Sequence, residues 1–192
     1  MTMQPVAPPH LLTVAEYLAI GEIEFGYSEL AEGRLVMSPS PTADHNRAAF
    51  RLGCQLEPQC PPGTEVNFDL DIDLQLAPAD APGTVRQPDM IVVRHDARQR
   101  LRREGGVVRA SELLLVVEIL SPGSRRIDCE SKRFEYADAG IQHYWLIEPT
   151  EPVSLTACHL AGEFGYQDAG PVTGTFTTAE PFPAVIHLDE LI

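Results

Sequence analysis

Two carboxylates stand where a carboxylate is costly. Asp89 follows Pro88 at the mouth of an apolar run, Met90 to Val93, and Glu118 sits inside Leu113-Leu114-Leu115-Val116-Val117-Glu118-Ile119-Leu120. A charge in a buried strand is strongly unfavourable unless something pairs with it. Arg34 or Arg86 could do so, and so could a bound divalent cation. Hard oxygen ligands on neighbouring strands suit Mg²⁺ or Mn²⁺, which assigns Asp89 and Glu118 as candidate metal ligands. Lys132 follows the Glu118 strand by a short loop and one helical turn. A helix can carry it back over the strand end, where an ammonium could offset charge developing at a phosphate or position a water. The structural alternatives are plain. Asp89 could cap a turn, and Lys132 could pair with Asp128 or Glu135 on a helix surface.

The surrounding elements follow from period and punctuation. Thr13 and Glu16 form a capping box ahead of a short helix, Val14 to Ile20. Ser28 to Met37 reads as a hairpin turning at Glu32-Gly33, with Ser38-Pro39-Ser40-Pro41 ending its second strand. Thr42 to Leu56 is a helix stopped by Pro58. Val66 to Leu76 alternates strictly, which gives a half-buried strand or two strands joined by a bend. Its acids Asp69, Asp71 and Asp73 read as a solvated face. The Arg-rich stretch from 94 to 110 reads as mostly connection. Leu113 to Leu120 is a strand covered on both faces. Asp128 to Ala139 is a helix with Asp128 as N-cap and Gly140 just past its end. Ile141 to Ile147 is a further strand, and a hairpin about Ala161-Gly162 opens a β-rich C-terminal extension. Tyr136 and Trp145 read as core.

The whole chain, 192 residues, reads as a single domain, with residues 1–10 a loose Pro-rich arm. No apolar run is long enough for a membrane helix, and Met1 to His10 lack the order of a signal peptide. The expectation is a cytoplasmic protein with no membrane partner. Cys54, Cys60, Cys129 and Cys158 form no zinc-like spacing and read as reduced thiols. Net charge is −14, an unusual balance for contact with nucleic acid. Ten of the fourteen Lys and Arg residues lie between 94 and 133, so a basic patch on an acidic body is one arrangement and solvated surface charge the other.

Taken together, Pro88-Asp89-Met90-Ile91-Val92-Val93, Val117-Glu118-Ile119-Leu120-Ser121-Pro122, and Asp128, Lys132, Tyr136, Gly140 and Tyr144-Trp145 resemble the Uma-type family of restriction-endonuclease-like proteins, in the PD-(D/E)xK nuclease superfamily. The resemblance runs from Leu12 to about Pro149. It implies an α/β (α+β) restriction-endonuclease-like core, with a mixed central sheet flanked by helices. It also implies Mg²⁺-dependent hydrolysis of phosphodiester bonds in DNA, by a homodimer if both strands of a duplex are cut. Glu32 matches an acidic-Gly segment of that family and His45 its early His, so both join Asp89, Glu118 and Lys132 as implied catalytic residues. The superfamily places a Lys two residues after the second acid. Leu120 stands there, and Lys132 takes the basic role in this reading. The rival reading is a nuclease-fold module that binds nucleic acid or protein without catalysis.

Overall fold

The computed structural model describes residues 10–21, 27–38 and 40–192. The loose arm expected at the N-terminus, apart from His10, and Pro39 of the strand-ending segment lie outside them. The elements in chain order are α1 (Val14–Ile20), β1 (Tyr27–Ala31), β2 (Arg34–Ser38), α2 (Ala43–Leu56), β3 (Thr64–Phe68), β4 (Ile72–Asp73), β5 (Val85–Arg86), β6 (Met90–Arg94), α3 (His95–Glu104), β7 (Val108–Arg109), β8 (Leu113–Ile119), α4 (Arg133–Asp138), β9 (His143–Glu148), β10 (Ser154–Leu160), β11 (Tyr166–Asp168), β12 (Val172–Thr173), β13 (Thr175–Thr178) and β14 (Ala184–His187). A π-helical segment, Ile127–Lys132, leads into α4.

The central sheet runs β11-β10-β9-β8-β6-β3, with β12 also paired to β10. Only β8 and β9 are parallel, so the sheet is mixed as expected. Its side chains alternate between two cores. Leu115, Val117, Ile119, Trp145 and Ile147 face α2 and the β13–β14 hairpin. Val116, Tyr144 and Leu146 face the other way, with Tyr136 of α4 and Ala97 of α3. Glu118 falls on this second face by the same alternation. A smaller sheet, β2-β1-β5-β4-β7, packs beside it with α1.

Local chemistry explains most boundaries. The Thr13–Glu16 capping box is present in full. Gly33 completes the hairpin turn at φ 78°, and a Cβ there would meet the Cβ atoms of Leu11 and Pro82 at 2.8 Å, so both the conformation and the packing call for glycine. Three expectations need correction. Residues 94–110 are not mostly connection, because His95–Glu104 is helical. Arg, Gln, Leu and Ala are good helix formers, and the charge obscured a narrow apolar stripe of Ala97 and Leu101. Asp128 is not an N-cap: the chain turns helical earlier, with Arg125 N–H donating to Ser121 O at 2.9 Å, and Asp128 lies buried inside the π segment. The acids of 66–76 are not one solvated face. The run breaks at Asp69 (φ 50°) into strands of two different sheets.

Within that break Asp71 is part-buried, and its Oδ1 has no hydrogen-bond partner among the described residues. Burial, reinforced by Glu29, pushes its carboxyl up to about 6, with Tyr17 opposing. A raised folded-state pKa favours the folded state below the unfolded value, and that contribution is lost as pH rises through about 6. Asp71→Asn should therefore stabilise the protein by roughly 1–2 kcal/mol at neutral pH, after allowance for solvent screening. The gain should vanish below the ordinary carboxylate value of 3.8. Urea unfolding at acidic and neutral pH measures this, and an equal effect at both would refute it.

Candidate active site

Asp89 lies one residue before β6, and Glu118 is the sixth residue of β8. Met90 pairs with Val117 across these antiparallel strands, so one further step of the register sets Asp89 opposite Glu118. The Asp89 carboxylate is held there by the main chain: its Oδ2 accepts from the Ile119 N–H at 2.5 Å. The same oxygen lies 3.1 Å from His45 Nε2 on α2. Burial works to lower the His45 pKa, but the hydrogen bond and charge of Asp89 outweigh it and hold it up. His45 Nδ1 is buried without a partner among the described residues.

Glu118 is 2% exposed. Its Oε1 accepts from Lys132 Nζ at 2.8 Å and from the Tyr136 hydroxyl at 2.8 Å. Lys132 answers two other carboxylates as well, Glu29 Oε1 at 3.2 Å and Asp128 Oδ1 at 3.4 Å. Neither Arg34 nor Arg86 is the partner of Glu118. Arg86 binds Glu29 at 2.8 Å and Glu135 at 2.6 Å, joining β1, β5 and α4. Burial alone would lower the Lys132 pKa, but Glu118, Glu29 and Asp128 hold it above the ordinary lysine value, so it stays an ammonium. Burial pushes the Glu118 carboxyl well up. Lys132 acts against this, while Asp89 and Asp128 add to it. Asp128 is raised for the same first reason. One ammonium facing three carboxylates leaves the site short of positive charge.

These groups open onto a cleft of about 370 Å³ lined by Glu29, His45, Asp69, Asp89, Glu118, Asp128 and Lys132, among others. The structure thus brings together four of the five residues singled out in the sequence, Asp89, Glu118, Lys132 and His45. Glu32 is not brought in. It is exposed in the hairpin turn at φ 47° and does not line the cleft. Glu29, three residues earlier on β1, takes the inward place and is 3% exposed. Asp69 and Asp128 were also missed as members of the cleft. The available signal for Glu29 was a charged residue beside Leu30 in a short strand; its partner Arg86 is far away in sequence.

Among the described residues no three His, Cys, Asp or Glu side chains are preassembled around one metal position. The donors nonetheless suit a hard cation. Asp89 Oδ1 and Glu118 Oε2 have no hydrogen-bond donor among the described residues, where the bonds of each carboxylate fall on its other oxygen. Mg²⁺ is commonly held by one or two carboxylates, with water and phosphate oxygens completing the shell.

Removing one member of the buried network should be costly. Arg86→Ala strips Glu29 and Glu135 of their guanidinium and should destabilise by roughly 3–5 kcal/mol. Arg126→Ala, which breaks an exposed pair with Glu130, should cost nothing measurable. Equal urea midpoints for the two variants would contradict this account of the network.

The family model Uma2, described as "Putative restriction endonuclease", matches residues 14–188. No curated protein matches the chain. Among solved structures, a protein from Anabaena variabilis described as a "putative nuclease belonging to DUF820" is similar over 94% of this chain and 97% of its own, with a TM-score of 0.68 and 19% identity. At that identity the likeness shows a shared fold, and it extends through the β-rich C-terminal part. With the family model spanning nearly all of the described fold, the chain belongs to the Uma2 family.

Proposed function

We propose that the cleft hydrolyses phosphodiester bonds in DNA, with Asp89 and Glu118 holding a Mg²⁺ or Mn²⁺ ion. The observation that carries the reading is the pairing of two carboxylates from adjacent strands, each with one oxygen that has no donor among the described residues, beside a buried ammonium in one cleft. Such an ion, when bound, lowers the pKa of a water and neutralises charge at phosphorus.

The chain's own groups do the rest. The Ile119 amide fixes the Asp89 carboxylate, and His45 braces the same oxygen. Lys132 and Tyr136 orient Glu118 through its other oxygen. Lys132 directs its ammonium at three carboxylates, so it acts mainly by positioning Glu118 and by its field at the cleft. Glu29 in turn holds Lys132 and Arg86. Cutting both strands of a duplex would take two copies of this cleft and hence a homodimer, whereas cutting one strand takes one.

A second reading, a DNA-binding module without catalysis, draws on Leu120. It stands buried and apolar where the superfamily has its Lys. Among the described residues no helix is long and apolar enough to cross a membrane.

Asp89→Asn and Glu118→Gln should each lower Mg²⁺- or Mn²⁺-dependent DNA cleavage by at least about a hundredfold. Asp89→Asn should also abolish metal binding seen by calorimetry. Metal binding that survives Asp89→Asn would sink the assigned ligands. DNA binding with no cleavage in either metal would favour the second reading.

Tyr136→Phe offers a milder test. It removes one of two donors to Glu118 Oε1 and should cost roughly 1–3 kcal/mol of stability. Cleavage should fall by far less than in Glu118→Gln. A loss as large as that of Glu118→Gln would mean that the hydroxyl does more than orient.

A further inference from the structure

The rim of the cleft is aromatic where contact with duplex DNA would call for cations. Phe50 is 63% exposed, Tyr27 and Met37 46% each and Phe68 40%, and all four line the cleft. Scattered exposed apolar residues are ordinary. Four around one acidic cleft form a patch of the kind that marks a binding site. Phe68 is a seated surface rather than a stray ring. It lies over Gly53 of α2, where a Cβ would come within 2.4 Å of the Phe68 Cζ. Phe50 stands three residues before Gly53 on the same helix, so the two rings share one side of the cleft.

The cations are distributed to match. Among the described residues lining the cleft Lys132 is the only Lys or Arg, and three carboxylates occupy it. Nine of the ten basic residues between 94 and 133, all but Arg102, are paired with acids. Arg47 and Arg51 are exposed on α2, flanking Phe50 in sequence, and neither has an ion pair among the described residues. A duplex hides its base faces and offers phosphates and groove edges, which Lys and Arg must meet. An unpaired strand exposes base faces, which stack on aromatic side chains while a few cations follow the backbone. The rim carries the aromatic members of the second set, and Arg47 and Arg51 stand beside it on the same helix as Phe50.

We propose that this cleft takes single-stranded DNA, with bases stacked on Phe50 and Phe68 and the backbone running past Arg47 and Arg51. The choice of polymer rests on the nuclease reading; the choice of single strand rests on the rim. The test is fluorescence anisotropy with a labelled oligothymidine of roughly twenty nucleotides and a duplex of equal length, with Ca²⁺ replacing Mg²⁺ to prevent cutting. The single strand should bind at least about tenfold more tightly than the duplex, and Phe50→Ala and Phe68→Ala should each weaken it by about tenfold. Phe50→Trp should retain affinity, and its indole emission should be quenched on binding. Arg47→Gln should flatten the salt dependence.

An unchanged melting temperature for Phe50→Ala keeps the comparison free of folding effects. Equal or tighter duplex binding, an inert Phe50→Ala, or no DNA binding at all overturns the proposal. So does a Phe50→Ala variant that changes oligomeric mass and not affinity, since the rim would then be an interface between copies. Cleavage is scored separately. A chain that cuts duplex DNA with or without Phe50 keeps the nuclease reading and loses this one. A chain that binds single strands through Phe50 and cuts nothing does the reverse.

Discussion

One buried ammonium organises the centre of this protein. Lys132 meets Glu29 from the smaller sheet, Glu118 from the central sheet and Asp128 from the π segment before α4. Without it, three carboxylates from three separate elements would face one another in a region of low dielectric, where like charges repel strongly. Arg86 repeats the arrangement one step away, tying Glu29 to Glu135 of α4. The junction between the two sheets is therefore ionic at this point, while Ile72 and Val108 of the smaller sheet share the apolar core on one face of the central sheet. The same ammonium that joins the layers also aims Glu118, so stability and site geometry depend on one group. Burial first, and neighbouring carboxylates after it, keep Glu118 and Asp128 inclined to hold protons, and a divalent cation would offset the carboxylates' share.

How much of this was legible in the sequence depended on range. The α1 capping box, the hairpin turning at Glu32-Gly33 and the Glu118 strand rest on neighbours within a few residues, and all are present. Asp89 and Glu118 declared themselves because a carboxylate at an apolar run needs an explanation. Glu29 did not, because its reason for being buried is Arg86, 57 residues away. Glu32 took its place in the sequence reading through its match to the family's acidic-Gly segment, whereas it lies exposed in the hairpin turn, away from the cleft lining. Strict alternation from Val66 to Leu76 read as one strand or as two joined by a bend, and the structure has the second. The period survives the break at Asp69 because Ile72 and Leu74 are buried against the same core as Ile91 and Val93. Helix α3 was hidden by its own arginines, since charge is a weaker guide to secondary structure than spacing.

The charge balance also reads differently once partners are known. The basic segment between 94 and 133 suggested a patch, but most of its arginines are matched to acids close by, including Glu65, Glu104, Glu112 and Glu148. An acidic chain has carboxylates to spare, and they quench the cations that clustering would otherwise concentrate. Among the described residues the cations left without an ion pair are Arg34 of β2, Arg47 and Arg51 of α2, and Arg102 of α3.

The Asp89 carboxylate is anchored on a peptide N–H and not on a side chain. The identity of residue 119 is consequently irrelevant to that bond, provided it is not proline, and the apolar side chain there remains free to serve the core on the opposite face. Position 119 answers to two masters through separate atoms, its amide to the acid and its side chain to the hydrocarbon. Drift among aliphatic residues at this position can retune core packing without disturbing the acid next door. This gives the fold a way to diverge in sequence around an unchanged pair of carboxylates.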